Sequence, residues 1–224
     1  MKPYPIFLTG LHNRHCIVIG GAHEAEGKVR SLLAVDATVT VISPELNETL
    51  TEWAEEGCFT WLKRPFQPGD LRGAFLVIAE RSDPDTNALI WEEGEAEGVL
   101  VNVMDDVAHC NFVAGSVVRQ GPLTLSISTS GAAPALAVRL RERFEAEFGR
   151  EYAIFLEWMQ ALRPHMAATY PSFQERKRRY YELVDSDVLS LIKNGRVAEA
   201  RQQVETITGI SLPAVDLEEN APNK

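Results

Sequence analysis

Three short stretches of this chain carry residue types and spacings that could do chemistry. The first is Cys16-Ile17-Val18-Ile19-Gly20-Gly21-Ala22-His23-Glu24-Ala25. An apolar run stops at two glycines and a helix-like segment follows, which is the opening of a dinucleotide-binding βαβ unit. In that fingerprint the first glycine makes the tight turn and the second lets the backbone approach a pyrophosphate. The third position stays small so that helix and strand pack closely. Gly20 fills the first position and Ala25 the third, while Ala22 stands at the second. Amides and the dipole at the helix start would receive phosphate charge. The fingerprint acid would follow Thr38–Ile42, and Ser43 and Pro44 stand there instead. The same residues also describe a glycine turn that binds nothing, so the local motif leaves both readings open.

The second stretch is Asp105-Asp106, just past the apolar run Leu100–Val103. In open α/β sheets ligands bind beyond the carboxyl ends of the strands. A carboxylate there is placed to act as a general base or, alternatively, to cap a loop. Neighbours in an extended segment point to opposite sides, so one of the pair is expected to face a pocket. The third stretch is Ser128-Thr129-Ser130-Gly131, ahead of a helical pattern. Its hydroxyls and amides suit carboxylate binding or helix capping. Among the cations, Arg139, Arg141 and Arg143 are two apart and face different ways on a helix. Arg176, Lys177, Arg178 and Arg179 form either a solvated face paired with Glu175 and Glu182 or a rim for a polyanion. The five histidines have no metal-ligand spacing, so no metal site is expected.

The elements that must position these residues alternate over the first hundred positions. Strands are expected at His15–Ile19, Thr38–Ile42, Cys58–Leu62, Phe75–Ala79 and Leu100–Val103. Helices are expected at Glu24–Ala34, Pro44–Glu56 with Ser43 as N-cap, and Pro84–Glu97 opened by Asp83. This rhythm predicts an α/β fold, a Rossmann-like parallel sheet covered on both faces. Past Asp106 the rhythm changes. Phe112–Arg119 and Leu123–Ser128 read as strands around a Gln120-Gly121-Pro122 turn, followed by a helix Ala135–Phe148. From Glu151 the chain reads helical, as Glu151–Ala168, Ser172–Val184, Asp187–Lys193 and Val197–Thr206. The expected organisation is a nucleotide-type domain over 1–114, a strand–helix segment over 115–150, a helical region over 151–212 and a polar disordered tail over 213–224.

Composition narrows the function classes. The 224 residues are 45% hydrophobic and 24% charged, as in a globular protein. Net charge is −10, which argues against broad nucleic-acid binding. No apolar run reaches the roughly 18 residues of a membrane span. Met1-Lys2-Pro3-Tyr4-Pro5 lacks a signal-peptide apolar region. Cys16, Cys58 and Cys110 are widely spaced in or beside apolar runs, and are read as buried thiols in a reducing cytoplasm.

Several motifs in order resemble one family. They are Pro5-Ile6-Phe7-Leu8, Gly20-Gly21-Ala22 with Ala25 and Lys28, and Val101-Asn102-Val103-Met104-Asp105-Asp106. Then come Pro122-Leu123-Thr124 and Ile127-Ser128-Thr129-Ser130-Gly131-Ala132-Ala133-Pro134. Together they resemble the precorrin-2 dehydrogenase and sirohydrochlorin ferrochelatase family, of the siroheme synthase N-terminal type. The likeness covers roughly residues 3–145 and continues more weakly in Leu183-Val184-Asp185-Ser186-Asp187 and Gly195-Arg196. It implies NAD-dependent dehydrogenation of precorrin-2 to sirohydrochlorin in siroheme biosynthesis. Two alternatives are a bifunctional enzyme that also inserts ferrous iron and a non-catalytic tetrapyrrole-binding protein. The resemblance implies Asp105 as the catalytic residue. It assigns Gly20, Gly21, Ala22, His23, Glu24, Ser43 and Pro44 to NAD, and Ser128, Thr129, Ser130 and Gly131 to the tetrapyrrole. The family's phosphorylatable serine falls at Thr129. A homodimer formed through about Gly115–Arg150 is also implied.

Overall fold

Short runs rich in Val, Ile and Leu, buried on both sides, are the raw material of a parallel sheet. The computed structural model describes residues 3–80 and 83–212. It divides into two compact units, Met1–Ala114 and Gly115–Lys224.

The first unit holds β1 (His15–Ile19), α1 (His23–Leu33), β2 (Thr38–Ile42), α2 (Glu48–Glu55), β3 (Thr60–Leu62), β4 (Leu76–Ala79), α3 (Pro84–Glu97) and β5 (Leu100–Val103). The five strands are all parallel, in the order β3-β2-β1-β4-β5. Successive side chains of β1 serve opposite faces. Cys16 and Val18 pack with Ala25, Val29, Leu32 and Leu50 of α1 and α2. Ile17 and Ile19 pack with Leu71 and with Ile90 of α3. Gly94 of α3 lies against the Val101 side chain, where a Cβ would strike a methyl group, so this helix approaches β5 closely.

The strand order sets the site. From β1 the chain moves outward through β2 and β3, then returns to the other side of β1 as β4. The direction of winding reverses between β1 and β4, and ligands of such sheets bind in the crevice at that reversal. Ile19 pairs with Ala79 across it. Gly20 and Glu80, the next residue of each strand, therefore stand at the mouth of the crevice.

The structure departs from expectation in the second helix, in the third strand, which starts at Thr60 and not Cys58, and in the cysteines. The second helix starts at Glu48, not Pro44. Asn47 is its N-cap, accepting a 2.8 Å bond from the Leu50 amide. Ser43 has other commitments: its hydroxyl donates to the Glu45 carbonyl at 2.6 Å, and its own carbonyl accepts from Trp61 Nε1 at 2.9 Å. The cysteines also divide, since Cys16 is buried, Cys110 half-buried and Cys58 exposed on the turn before β3.

The second unit holds β6 (Ser116–Gln120), β7 (Leu123–Ile127), α4 (Pro134–Glu147), α5 (Arg150–Thr169), α6 (Phe173–Val184), α7 (Val188–Lys193) and α8 (Val197–Thr208). β6 and β7 form an antiparallel hairpin in which Gln120 pairs with Leu123. Its two-residue turn has Gly121 at φ +54° followed by Pro122. Proline excludes a second positive φ, which selects the type II′ turn that suits strand twist. The strand expected from Phe112 begins only at Ser116, because the Phe112 carbonyl is held by Asn102 Nδ2 at 3.0 Å. Trp158, Leu162 and Met166 of α5 are fully buried among Leu183, Val188, Ala200 and Val204. The tail from residue 213 lies outside the described residues. Among the described residues no helix is long and apolar enough to cross a membrane.

Candidate functional site

The glycine turn joins β1 to α1. Gly20 has φ +123°, a conformation in which an L side chain is strained. Gly21 is buried beneath the β2–α2 loop. A Cβ there would strike the Glu45 carbonyl and lie 2.8 Å from Ser43 Oγ. The Gly21 carbonyl accepts from the Asn47 amide at 2.8 Å, which ties the two loops together. Gly21 thus permits contact between two loops of the protein. Ala22 is the N-cap of α1 at φ −89°, ψ −167°, an extended geometry that alanine adopts without strain, and it is exposed. Ala25 is fully buried against the sheet, as the small third position requires.

His23 and Glu24 open α1 on the exposed side. The His23 imidazole is 91% exposed and 3.7 Å from Glu26. Ser43 is buried behind Gly21, and Pro44 is exposed beside it. The turn and the end of β2 are therefore adjacent, as a dinucleotide site needs. The helix amides at the turn already bind an oxyanion. Glu80 Oε1 accepts from the Ala22 amide at 3.2 Å and the Ala25 amide at 3.0 Å. The same carboxylate fills the space in which a Gly20 Cβ would lie. The donor set fits the phosphate portion of a dinucleotide, with this carboxylate standing in for phosphate oxygens. Glu80 escaped the reading of the sequence. Its one signal there is position, since it follows an apolar strand as Asp105 nearly does.

At the end of β5 the paired aspartates separate. Asp106 is tied down, with Oδ2 accepting from His109 Nδ1 at 2.7 Å and from Asn87 Nδ2 at 3.1 Å. The His109 hydrogen bond, helped by that from Asn87, holds the Asp106 carboxyl below its ordinary range against the opposing effect of burial. Asp105 is exposed, and its carboxylate makes no hydrogen bond among the described residues. Its φ is +61°, in the left-handed region that aspartate tolerates better than most side chains. The loop that presents it is clamped from behind. Cys110 Sγ donates to the Val103 and Asp106 carbonyls at 3.2 Å, and Asn111 Oδ1 accepts from the Val101 amide at 2.7 Å. Burial pushes the Cys110 thiol up, so it stays protonated and remains a donor. Asn87 and His109 were also not singled out from the sequence. Asn87 is a buried amide on a helix, and Asp106 lies 19 residues away from it in the chain.

The second unit presents the hydroxyl loop between β7 and α4. Ser130 and Gly131 are successive left-handed residues, at φ +55° and +80°. Ser128 Oγ accepts from the Ser130 amide at 3.1 Å, and Thr129 Oγ1 from the Ala133 amide at 3.3 Å. Two hydroxyls therefore shape the loop and the entry to α4. Ser128, Ser130 and Gly131 are exposed, and Thr129 is half-buried. The cations of α6 have partners within the unit. Arg178 pairs with Glu182 at 2.6 Å, and Arg176 donates to the Tyr170 and Pro171 carbonyls. Arg179 donates to the Ile207 carbonyl and lies over the Tyr170 ring. These contacts support the paired, structural reading of that cluster.

Strand order, turn and helix amides define a protein built on a Rossmann-like α/β domain with a second hairpin-and-helix unit. Three family models match in succession. "Putative NAD(P)-binding" covers residues 7–116, "Sirohaem biosynthesis protein central" 120–147 and "Sirohaem synthase dimerisation region" 151–207. The chain belongs to the siroheme synthase N-terminal family. It is 34% identical to siroheme synthase 1 of Aeromonas salmonicida over 208 residues, which is 92% of this chain and 44% of that protein. It is 35% identical to siroheme synthase of Methylobacillus flagellatus over 212 residues, with the same coverage. The chain thus spans less than half the length of these relatives. The solved structure of "SirC, precorrin-2 dehydrogenase" shares its fold with a TM-score of 0.74 at 23% identity, over 91% of this chain and 100% of that one.

Proposed function

We propose that this chain oxidises precorrin-2 to sirohydrochlorin with NAD, as a cytoplasmic homodimer. The observation that carries the reading is the kinship with siroheme synthases over 92% of the chain. The SirC fold, matched along its whole length, supports the dehydrogenase step in particular. NAD, when bound, supplies a hydride acceptor. Gly20, Gly21, Ala22, His23 and Glu24 hold it along the turn, with Ser43 and Pro44 at the end of β2. Asp105 accepts or orients the proton that leaves the macrocycle. Its exposed carboxylate and clamped loop suit that task, since alignment of two large ligands is the main demand. Ser128, Thr129, Ser130 and Gly131 receive carboxylates of the tetrapyrrole through hydroxyls and amides. The match to a dimerisation region over 151–207 supports the homodimer.

The test is an anaerobic assay with precorrin-2 and NAD, followed by sirohydrochlorin absorbance. Product formation that needs both NAD and Asp105 is expected. No product at saturating NAD overturns the reading. One observation favours a second reading, a tetrapyrrole-binding protein that uses no dinucleotide: the turn amides are already bonded to Glu80.

A further inference from the structure

The backbone amides of Ala22 and Ala25 point at the crevice where the winding of the sheet reverses. Both donate to one oxygen of Glu80, at 3.2 and 3.0 Å. The contact spans 55 to 58 residues and is set by the pairing of β1 with β4. The Glu80 amide itself donates to the Ile19 carbonyl at 2.7 Å, which anchors the residue's backbone at the end of the pair. Gly20 supplies the room, since the carboxylate fills the place of its missing Cβ.

A phosphate oxygen approaching α1 would need these same amides. It would also meet a like charge at contact distance, where the local dielectric is lower than in water. We propose that Glu80 is an internal occupant of the oxyanion seat on the glycine turn, and that it lowers dinucleotide affinity by competing for that seat. Bound, the carboxylate caps α1 and offsets its dipole. Displaced, it swings from the crevice as the phosphates take the two amides. This assignment rests on the dinucleotide reading above for its ligand, though not for the competition itself.

The competition has a fold-change attached. A charge-assisted bond to a helix N-terminus is worth enough that its removal tightens a competing anion by about tenfold. NADH binding to the full chain is measured by fluorescence titration for wild type, Glu80→Gln and Glu80→Ala. Affinity rising about tenfold in Glu80→Ala, with Glu80→Gln between, is the expected result. Glu80→Gln keeps a hydrogen-bond acceptor without the charge, so it guards against a fold defect in the alanine variant. Where wild type binds NADH measurably, equal or weaker binding in both variants overturns the proposal, because Glu80 would then be indifferent to the cofactor or a ligand of it.

A second readout uses inorganic pyrophosphate and thermal melting, with no dinucleotide present. Pyrophosphate is expected to raise the melting temperature of Glu80→Ala more than that of wild type. An equal shift overturns the proposal. If no form binds NADH while pyrophosphate still favours Glu80→Ala, the occupied seat stands and the dinucleotide reading falls.

Discussion

Replacing Asp105 by Ala, Asn and Gly separates what this residue does for the reaction from what it does for the fold. Its carboxylate is exposed and makes no hydrogen bond among the described residues, so its removal breaks no stabilising contact. What changes is the cost of its backbone, held at φ +61°. That conformation costs an alanine about 1 kcal/mol, is tolerated by Asp and Asn, and costs glycine almost nothing. Glycine also loosens the unfolded chain by about 0.5–1 kcal/mol, which cancels most of its gain. The expected stability order is therefore Asp, Asn and Gly close together, with Ala about 1 kcal/mol lower. In a unit of this size that is a melting shift of about 4 °C. Turnover should not follow that order. All three variants remove the proton acceptor and should lose a factor of ~10²–10⁴ in kcat. Anaerobic sirohydrochlorin formation gives the rates, and thermal melts followed by circular dichroism give the stabilities. Wild-type turnover in the Asn or Gly variant would refute the catalytic role. An alanine variant as stable as the glycine one would refute the backbone argument.

Three further outcomes follow from the same geometry. Gly21→Ala drives a Cβ into the Glu45 carbonyl and towards Ser43 Oγ, so it should cost ~1–3 kcal/mol in urea unfolding. It should also shift Trp61 emission, because the Ser43 carbonyl is the acceptor of that indole. Ala22→Gly should change stability by only a few tenths of a kcal/mol and leave NADH affinity unaltered, since Ala22 is exposed and unstrained. Asp106→Asn tests the hydrogen bond with His109. The Asp106 carboxyl is held below its ordinary 3.8, so its stabilising contribution is present above that pH and is lost as pH falls through the lowered value. The gap in denaturation midpoint between wild type and Asp106→Asn should hold at neutral pH and close in acid. A gap unchanged down to pH ~2 would sink this account.

Much of the first unit was legible in the sequence because its causes are local. His15–Ile19 and Thr38–Ile42 are strands at the expected bounds. Each is a run of apolar or β-branched residues that can bury both faces, and a central parallel strand asks for little else. Asp83 and Pro84 open their helix as read, because cap and first-turn geometry depend on neighbours. The placement of Gly20 and Asp105 beyond strand ends follows from the same alternation.

Other features depended on partners distant in the chain. Ser43 had the residue type of an N-cap and lost the role to Asn47, because Trp61, 18 residues on, and Glu45 claim its polar atoms. Which of Asp105 and Asp106 stays free was decided by Asn87 and His109, which secure only the second. What presses on Gly21 from within the protein, the β2–α2 loop, was also invisible in the residues around it. Glu80 shows the division most plainly. The residue types alone determined a glycine turn feeding a helix whose first amides want an anion. Only the parallel register of β1 and β4 brought a carboxylate from 58 residues away onto those amides. Periodicity and capping are short-range properties of a chain, while the occupant of a helix end is whatever charge the packed sheet delivers there.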